Sequence, residues 1–93
     1  MKTTYEISYT ARAQSDLEKL KHSEPSAFKK AVKLLHEIVD TPTTGTGHPH
    51  QLVGDRAGQW ARSITKKHRL VYEVHDNEIV VLVLAAYGHY DDH

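Results

Sequence analysis

Trp60-Ala61-Arg62-Ser63-Ile64-Thr65-Lys66-Lys67-His68-Arg69-Leu70-Val71-Tyr72 reads as two strands joined by a basic turn. Trp60 to Thr65 is one strand, Lys66-Lys67-His68 the turn, and Arg69 to His75 the next strand. Asp76-Asn77 turns the chain again. Ile79 to Ala86 is then almost continuously apolar, the pattern of a central strand buried on both faces. Gly88-His89-Tyr90 is its exit, and Asp91-Asp92-His93 a short polar tail.

Upstream, His48-Pro49-His50-Gln51-Leu52 reads as a short edge strand, because proline is confined to edges and strand starts. Gly54 to Gly58 is a turn. Thr43 to Gly47 is a loop without bulky side chains. Helical spacing begins before it. Ala13, Leu17 and Leu20 mark an amphipathic helix over Ala11 to Lys21, with Thr10 as N-cap. Ser23-Glu24-Pro25 opens a second helix, since proline is tolerated in the first turn. Its apolar face is Phe28, Ala31, Val32, Leu35, Ile38 and Val39, with Lys29, Lys30 and Lys33 outside. Asp40-Thr41-Pro42 stops it. Tyr5, Ile7 and Tyr9 alternate with polar residues, as in a first strand with one wet face. The order βααββββ predicts an α+β domain, a helical hairpin packed on a largely antiparallel twisted sheet. Residues 1–93 are expected to form one domain.

With 12 basic and 12 acidic residues the chain has no net charge, so any basic surface must be local. Cysteine is absent, which removes disulfides and thiol nucleophiles and fits a reducing cytoplasm. No apolar run is long enough to span a bilayer. The N-terminus lacks the apolar block of a signal peptide. Eight histidines make the chain distinctly more basic on mild acidification.

An arginine, a histidine and a tyrosine on one small sheet can hold a phosphodiester and move protons around it. Arginine suits the phosphate because its planar fork grips two oxygens and stays charged. Histidine suits proton transfer because its unperturbed pKa lies near neutrality. Arg69, beside the basic turn, is the candidate cation. His89, freed by Gly88 to aim its ring, is the candidate acid. Tyr90 either caps the core or faces the ligand. Arg62, Lys66, Lys67 and His68 form the candidate local basic patch for RNA phosphates, although such a turn is ordinarily a solvated one and His68 would equally serve to brace it. Trp60 reads as sheet packing rather than a stacking platform.

Thr41-Pro42, Gly45-Thr46-Gly47-His48-Pro49, Leu52, Gly58, Trp60, Arg62, Ile64-Thr65, His68-Arg69-Leu70-Val71-Tyr72 and His89-Tyr90 together resemble the YoeB/Txe branch of the RelE-type toxins. The likeness covers nearly the whole chain. It implies a RelE-like fold and a bacterial toxin of a type II toxin–antitoxin pair. Such toxins cut messenger RNA in the ribosomal A site without a metal or other cofactor. They leave a cyclic or 3′-phosphate and a 5′-hydroxyl. The implied partners are the ribosome, a YefM-like antitoxin and a second copy of the chain, with no membrane. The family's phosphate-binding arginine falls on Arg69, its general acid on His89 and its terminal tyrosine on Tyr90.

The departures from the family pattern are informative. A glutamate usually stands where this chain has His50, and a second arginine where it has Ser63; an acidic residue of the turn is Lys67 here. His50 has three readings: a bystander, a replacement base, or, with His48 two residues away on one strand face, part of a metal site. Two ligands are too few for the last, so no metal is expected. The competing function is a weakened homologue acting mainly through antitoxin binding and operon autoregulation.

Overall fold

A computed structural model describes residues 3–88. In chain order the elements are β1 (Glu6–Tyr9), α1 (Ala11–Ser23), α2 (Pro25–Ile38), β2 (His50–Gln51), a 3₁₀ turn (Gly54–Arg56), β3 (Gln59–Ser63), β4 (Arg69–His75) and β5 (Val80–Ala85). This is the expected βααββββ order. The five strands form one sheet in the order β1-β5-β4-β3-β2. Only β1 and β5 run parallel, and the other neighbours are antiparallel.

Both helices cover one face of the sheet. Thr10 caps α1 by accepting the Ala13 amide, and its hydroxyl donates to the Leu84 carbonyl, both at 3.0 Å. Buried Asp16 accepts the Ala86 amide at 3.0 Å. These bonds fix the start of α1 against the end of β5. The helix runs on to Ser23, past the expected Lys21, and Glu24 closes it by donating its amide to the Leu20 carbonyl. Pro25 then starts α2, where its missing amide costs nothing. Ala27, Ala31, Leu34, Leu35 and Ile38 of α2 are buried against Leu70, Tyr72, Val81 and Val83 of the sheet. Phe28 and Val32 are only half-buried, and Leu34 takes the central place that the periodicity had not assigned.

Other details also differ from the sequence reading, among them the end of β3 at Ser63 rather than Thr65. The edge strand β2 is two residues long, since proline at 49 offers no amide to extend it. Ile79 lies in the turn, with φ of 56° and 43% exposure. β5 is interior, but β4 is the middle strand. Burial on both faces of β5 is also not what forms. Val81 and Val83 are fully buried, whereas Leu82 and Leu84 are half-covered, because the helices cover only the first face. Among the described residues no helix is long and apolar enough to cross a membrane.

Candidate functional site

The uncovered face of the sheet carries the candidate site. Register places His50 opposite Ala61, Ala61 opposite Val71, and Val71 opposite Ala85. Paired residues of antiparallel strands project to the same face, so these four form one row across it. Arg69 is two residues before Val71 and pairs with Ser63, which places it on the same face. Ala61 and Val71 form a small apolar floor between His50 and Arg69, two strands apart, or about 10 Å laterally.

Arg69 is held at its head and its backbone. Its Nη1 donates to the Ser63 hydroxyl at 2.7 Å. Its amide donates to the Gly88 carbonyl at 2.9 Å. The Gly88 amide in turn donates to Nδ1 of His68 at 2.8 Å. Gly88 has φ of +76°, a left-handed conformation that suits glycine. Residues 68 and 69 therefore clamp the chain where it leaves β5.

His50 is exposed on the edge strand. Its Nδ1 lies 2.9 Å from the His48 carbonyl. A carbonyl can only accept, so Nδ1 carries the proton, and in the neutral ring Nε2 carries the lone pair. His48 supplies that carbonyl from a left-handed conformation, φ 54°. The ring is thereby set in the tautomer that a general base needs.

Two residues expected in a surface basic patch are not on the surface. Arg62 is 0% exposed and points under the helices. Its five N–H donors meet five acceptors. Nε donates to the Tyr72 hydroxyl at 3.0 Å. Nη1 donates to Glu37 Oε1 at 2.6 Å and the Thr46 carbonyl at 3.2 Å. Nη2 donates to the carbonyls of Thr41 at 2.5 Å and Thr44 at 2.8 Å. The Tyr72 hydroxyl donates in turn to the Pro42 carbonyl at 2.7 Å, and burial raises its pKa. Glu37 also accepts the Thr46 amide at 2.6 Å. That amide first, and then the Thr46 hydroxyl and Arg62, hold the Glu37 carboxyl below its ordinary range. The loop between α2 and β2 is thus wrapped around a buried guanidinium. Gly45 lies against the Glu37 carboxylate with φ of +121°, a backbone conformation that favours glycine.

His68 is likewise buried, at 2% exposure. Its Nε2 donates to Glu24 Oε2 at 2.6 Å while Nδ1 accepts from Gly88. That hydrogen bond is the main reason the Glu24 carboxyl is held low. His68 braces the turn from a buried position. Lys66 and Lys67 are exposed, and Lys67 Nζ is 3.7 Å from Glu24. Trp60 packs on the core. His89 and Tyr90 lie outside the described residues.

The sequence reading also passed over two arginines beside Arg69. Arg12 of α1 and Arg56 of the 3₁₀ turn line the same concavity as Arg69, with Val71, Ala85, Tyr87 and Gly88. A signal existed for Arg12: it stands in the first turn of a helix, where acidic side chains are favoured.

Comparison with known proteins agrees with this architecture. Residues 9–90 match the family described as the YoeB-like toxin of bacterial type II toxin–antitoxin systems. Toxin YoeB of Streptomyces coelicolor is 36% identical over 76 residues, which are 82% of this chain and 90% of that protein. The YoeB/ParE toxin structure from Agrobacterium tumefaciens superposes with a TM-score of 0.86 at 32% identity, covering 91% of this chain and 99% of that one. The toxin of the heterotetrameric YoeB–YefM complex from Staphylococcus aureus superposes with a TM-score of 0.79 at 28% identity, covering 92% and 98%.

Proposed function

We propose that this chain, which belongs to the YoeB-like toxin family of bacterial type II toxin–antitoxin systems, is an endoribonuclease that cuts messenger RNA in the ribosomal A site without a metal. The observation that carries the reading is the shared sheet face. Arg69 stands across an apolar floor from a histidine whose tautomer leaves Nε2 basic.

The RNA supplies its own nucleophile. His50 Nε2 accepts the proton of the 2′-hydroxyl, and O2′ attacks the phosphorus. Arg69 stabilises the charge that gathers on the phosphoryl oxygens. The bond from phosphorus to O5′ breaks, and the departing oxygen takes a proton from His89. A cyclic phosphate and a 5′-hydroxyl result. Tyr90 lies against the phosphate or a flanking base. The roles of His89 and Tyr90 come from their place in the family motif. Exposed Lys66 and Lys67 face ribosomal RNA, where their charge supplies sequence-independent affinity.

The chain acts in the cytoplasm with a YefM-like antitoxin and a second copy of itself. The Staphylococcus aureus relative, whose structure is a heterotetrameric toxin–antitoxin complex, supports that partnership. A segment of the antitoxin that folds on binding would cover the exit of β5.

Expression without antitoxin tests the reading. Growth arrest, and EDTA-insensitive cleavage on programmed ribosomes that is lost in Arg69→Ala, are expected. Cleavage by the parent and Arg69→Ala at one rate would sink it. Absence of growth arrest with intact antitoxin binding would return the chain to a regulatory role.

A further inference from the structure

The chain has four arginines, Arg12, Arg56, Arg62 and Arg69. Arg62 is consumed in the buried lock. The other three come from three separate elements, α1, the 3₁₀ turn and β4, and line one concavity. Every other basic position is a lysine. Lysine serves a solvated surface as well as arginine does; the planar fork is the better grip on phosphate oxygens. The arginines are thus concentrated where a fork would be used.

Local structure supports an anion there. Arg12 sits in the first turn of α1, at the positive end of the helix dipole. A cation in that place is opposed by the dipole, and an anion bound between them relieves the opposition. Arg12 Nε lies 3.6 Å from Asp16, with its own side chain 66% exposed, so this loose contact leaves most of the guanidinium in solvent. Arg56 Nη1 donates to the Gln59 side chain at 3.0 Å, which steadies its head where it lines the concavity.

We propose that Arg12 and Arg56 extend the Arg69 site into a cleft that holds a phosphodiester flanking the scissile one. The proposal rests on the nuclease reading. Arg69 contacts the reacting phosphate, while Arg12 and Arg56 bind the substrate strand without touching the reacting atoms. They therefore contribute to affinity and register more than to the chemical step, and do so for any base sequence.

The probe is a fluorescein-labelled 2′-O-methyl hexaribonucleotide, which lacks the nucleophile and so reports binding alone. Anisotropy is followed against salt for the parent, Arg12→Gln, Arg56→Gln, the double variant and Arg69→Ala. Each lost phosphate contact should flatten the log–log salt slope by about 0.7. Over the decade between 1 M and 0.1 M salt, that slope corresponds to about fivefold weaker binding at 0.1 M for each single variant and about 25-fold for the double. Arg12→Lys and Arg56→Lys should restore the slope, and Lys30→Gln on the outer face of α2 should bind like the parent. On programmed ribosomes the double variant should raise KM while kcat stays near the parent's, with an unchanged melting temperature. Parent-like affinity and slope in the double variant, beside weakened binding by Arg69→Ala, would overturn the extended cleft and leave the nuclease reading standing. If the parent itself neither binds the probe nor cleaves, both fall together. A loss of affinity in the glutamine variants with an unchanged salt slope would make the role steric, also against the proposal.

Discussion

Arg62 and Arg69 lie on adjacent strands, one step apart in register, and face opposite sides of the same sheet. Arg62 is enclosed, each donor matched to an acceptor from a loop that has folded around it. Arg69 is half-buried, tethered by Ser63 and Gly88, and opens on the side the helices do not cover. One guanidinium organises the chain and the other stands on the open face. Residue type does not separate them. Strand parity does: Trp60, Arg62 and Ile64 alternate onto the helix side, while Ser63 and Arg69 pair on the other.

The largest effect should come from the enclosed member. Arg62→Ala leaves Glu37, Tyr72 and three carbonyls without their donor, and should cost about 3–5 kcal/mol of folding stability in denaturant titration. Arg69→Ala should cost under about 1 kcal/mol in the same assay. Equal losses would erase the distinction between the two arginines.

Activity should reverse the ranking. Arg69→Ala should slow single-turnover cleavage by about 10²–10³-fold, the range for removing one fixed donor from developing charge. Its denaturation midpoint should stay near the parent's. A variant that unfolds easily yet cleaves normally would place Arg69 with Arg62.

His50 tests the open face from its other edge. His50→Ala should slow cleavage by about 10²-fold. His50→Glu should retain activity and move the acid limb of the pH–rate profile down by about two units, because free glutamate titrates that far below free histidine. Parent-like rate and profile in His50→Ala would make the residue a bystander.

The smallest effect concerns pH and the enclosed side. The Glu37 carboxyl titrates below its ordinary value of 4.5 in the folded chain. A depressed carboxylate adds stability that is complete above the unfolded value and is lost as pH falls through the folded one. Glu37→Gln should therefore be less stable than the parent at neutral pH, and the gap should narrow as pH drops below 4.5. A gap that stays constant down to acid unfolding would assign the Glu37 contribution to packing rather than charge.

Much of this fold was legible in local pattern. The element order, the proline start of α2, the cap at Thr10 and the β3–β4 hairpin follow from spacing and turn chemistry, which act over a few residues. The family motif singled out Arg69 as the candidate phosphate ligand. What escaped the sequence depends on distant partners. Arg62 is buried because Glu37 stands 25 residues away in the chain, and His68 because Glu24 stands 44 away. Without those carboxylates in view, a basic run reads as solvated. Arg12 and Arg56 escaped for the same reason, since only the closed sheet brings α1 and the 3₁₀ turn to one rim. Ile79 escaped because an apolar residue in a turn has the composition of the strand that follows it.

The parallel pairing of β1 with β5 sets a timetable. Glu6 finds its partner only at Val80, so the sheet is closed by nearly the last residues described. Contacts this distant in sequence form late, after the loop between them has been closed. Until β5 arrives, Asp16 lacks the Ala86 amide and Arg69 lacks the Gly88 carbonyl. On the nuclease reading, a ribosome translating this chain makes a cutter that is incomplete until β5 has been added. The nascent polypeptide holds no assembled cleft, and presents no hazard, until β5 has emerged and docked.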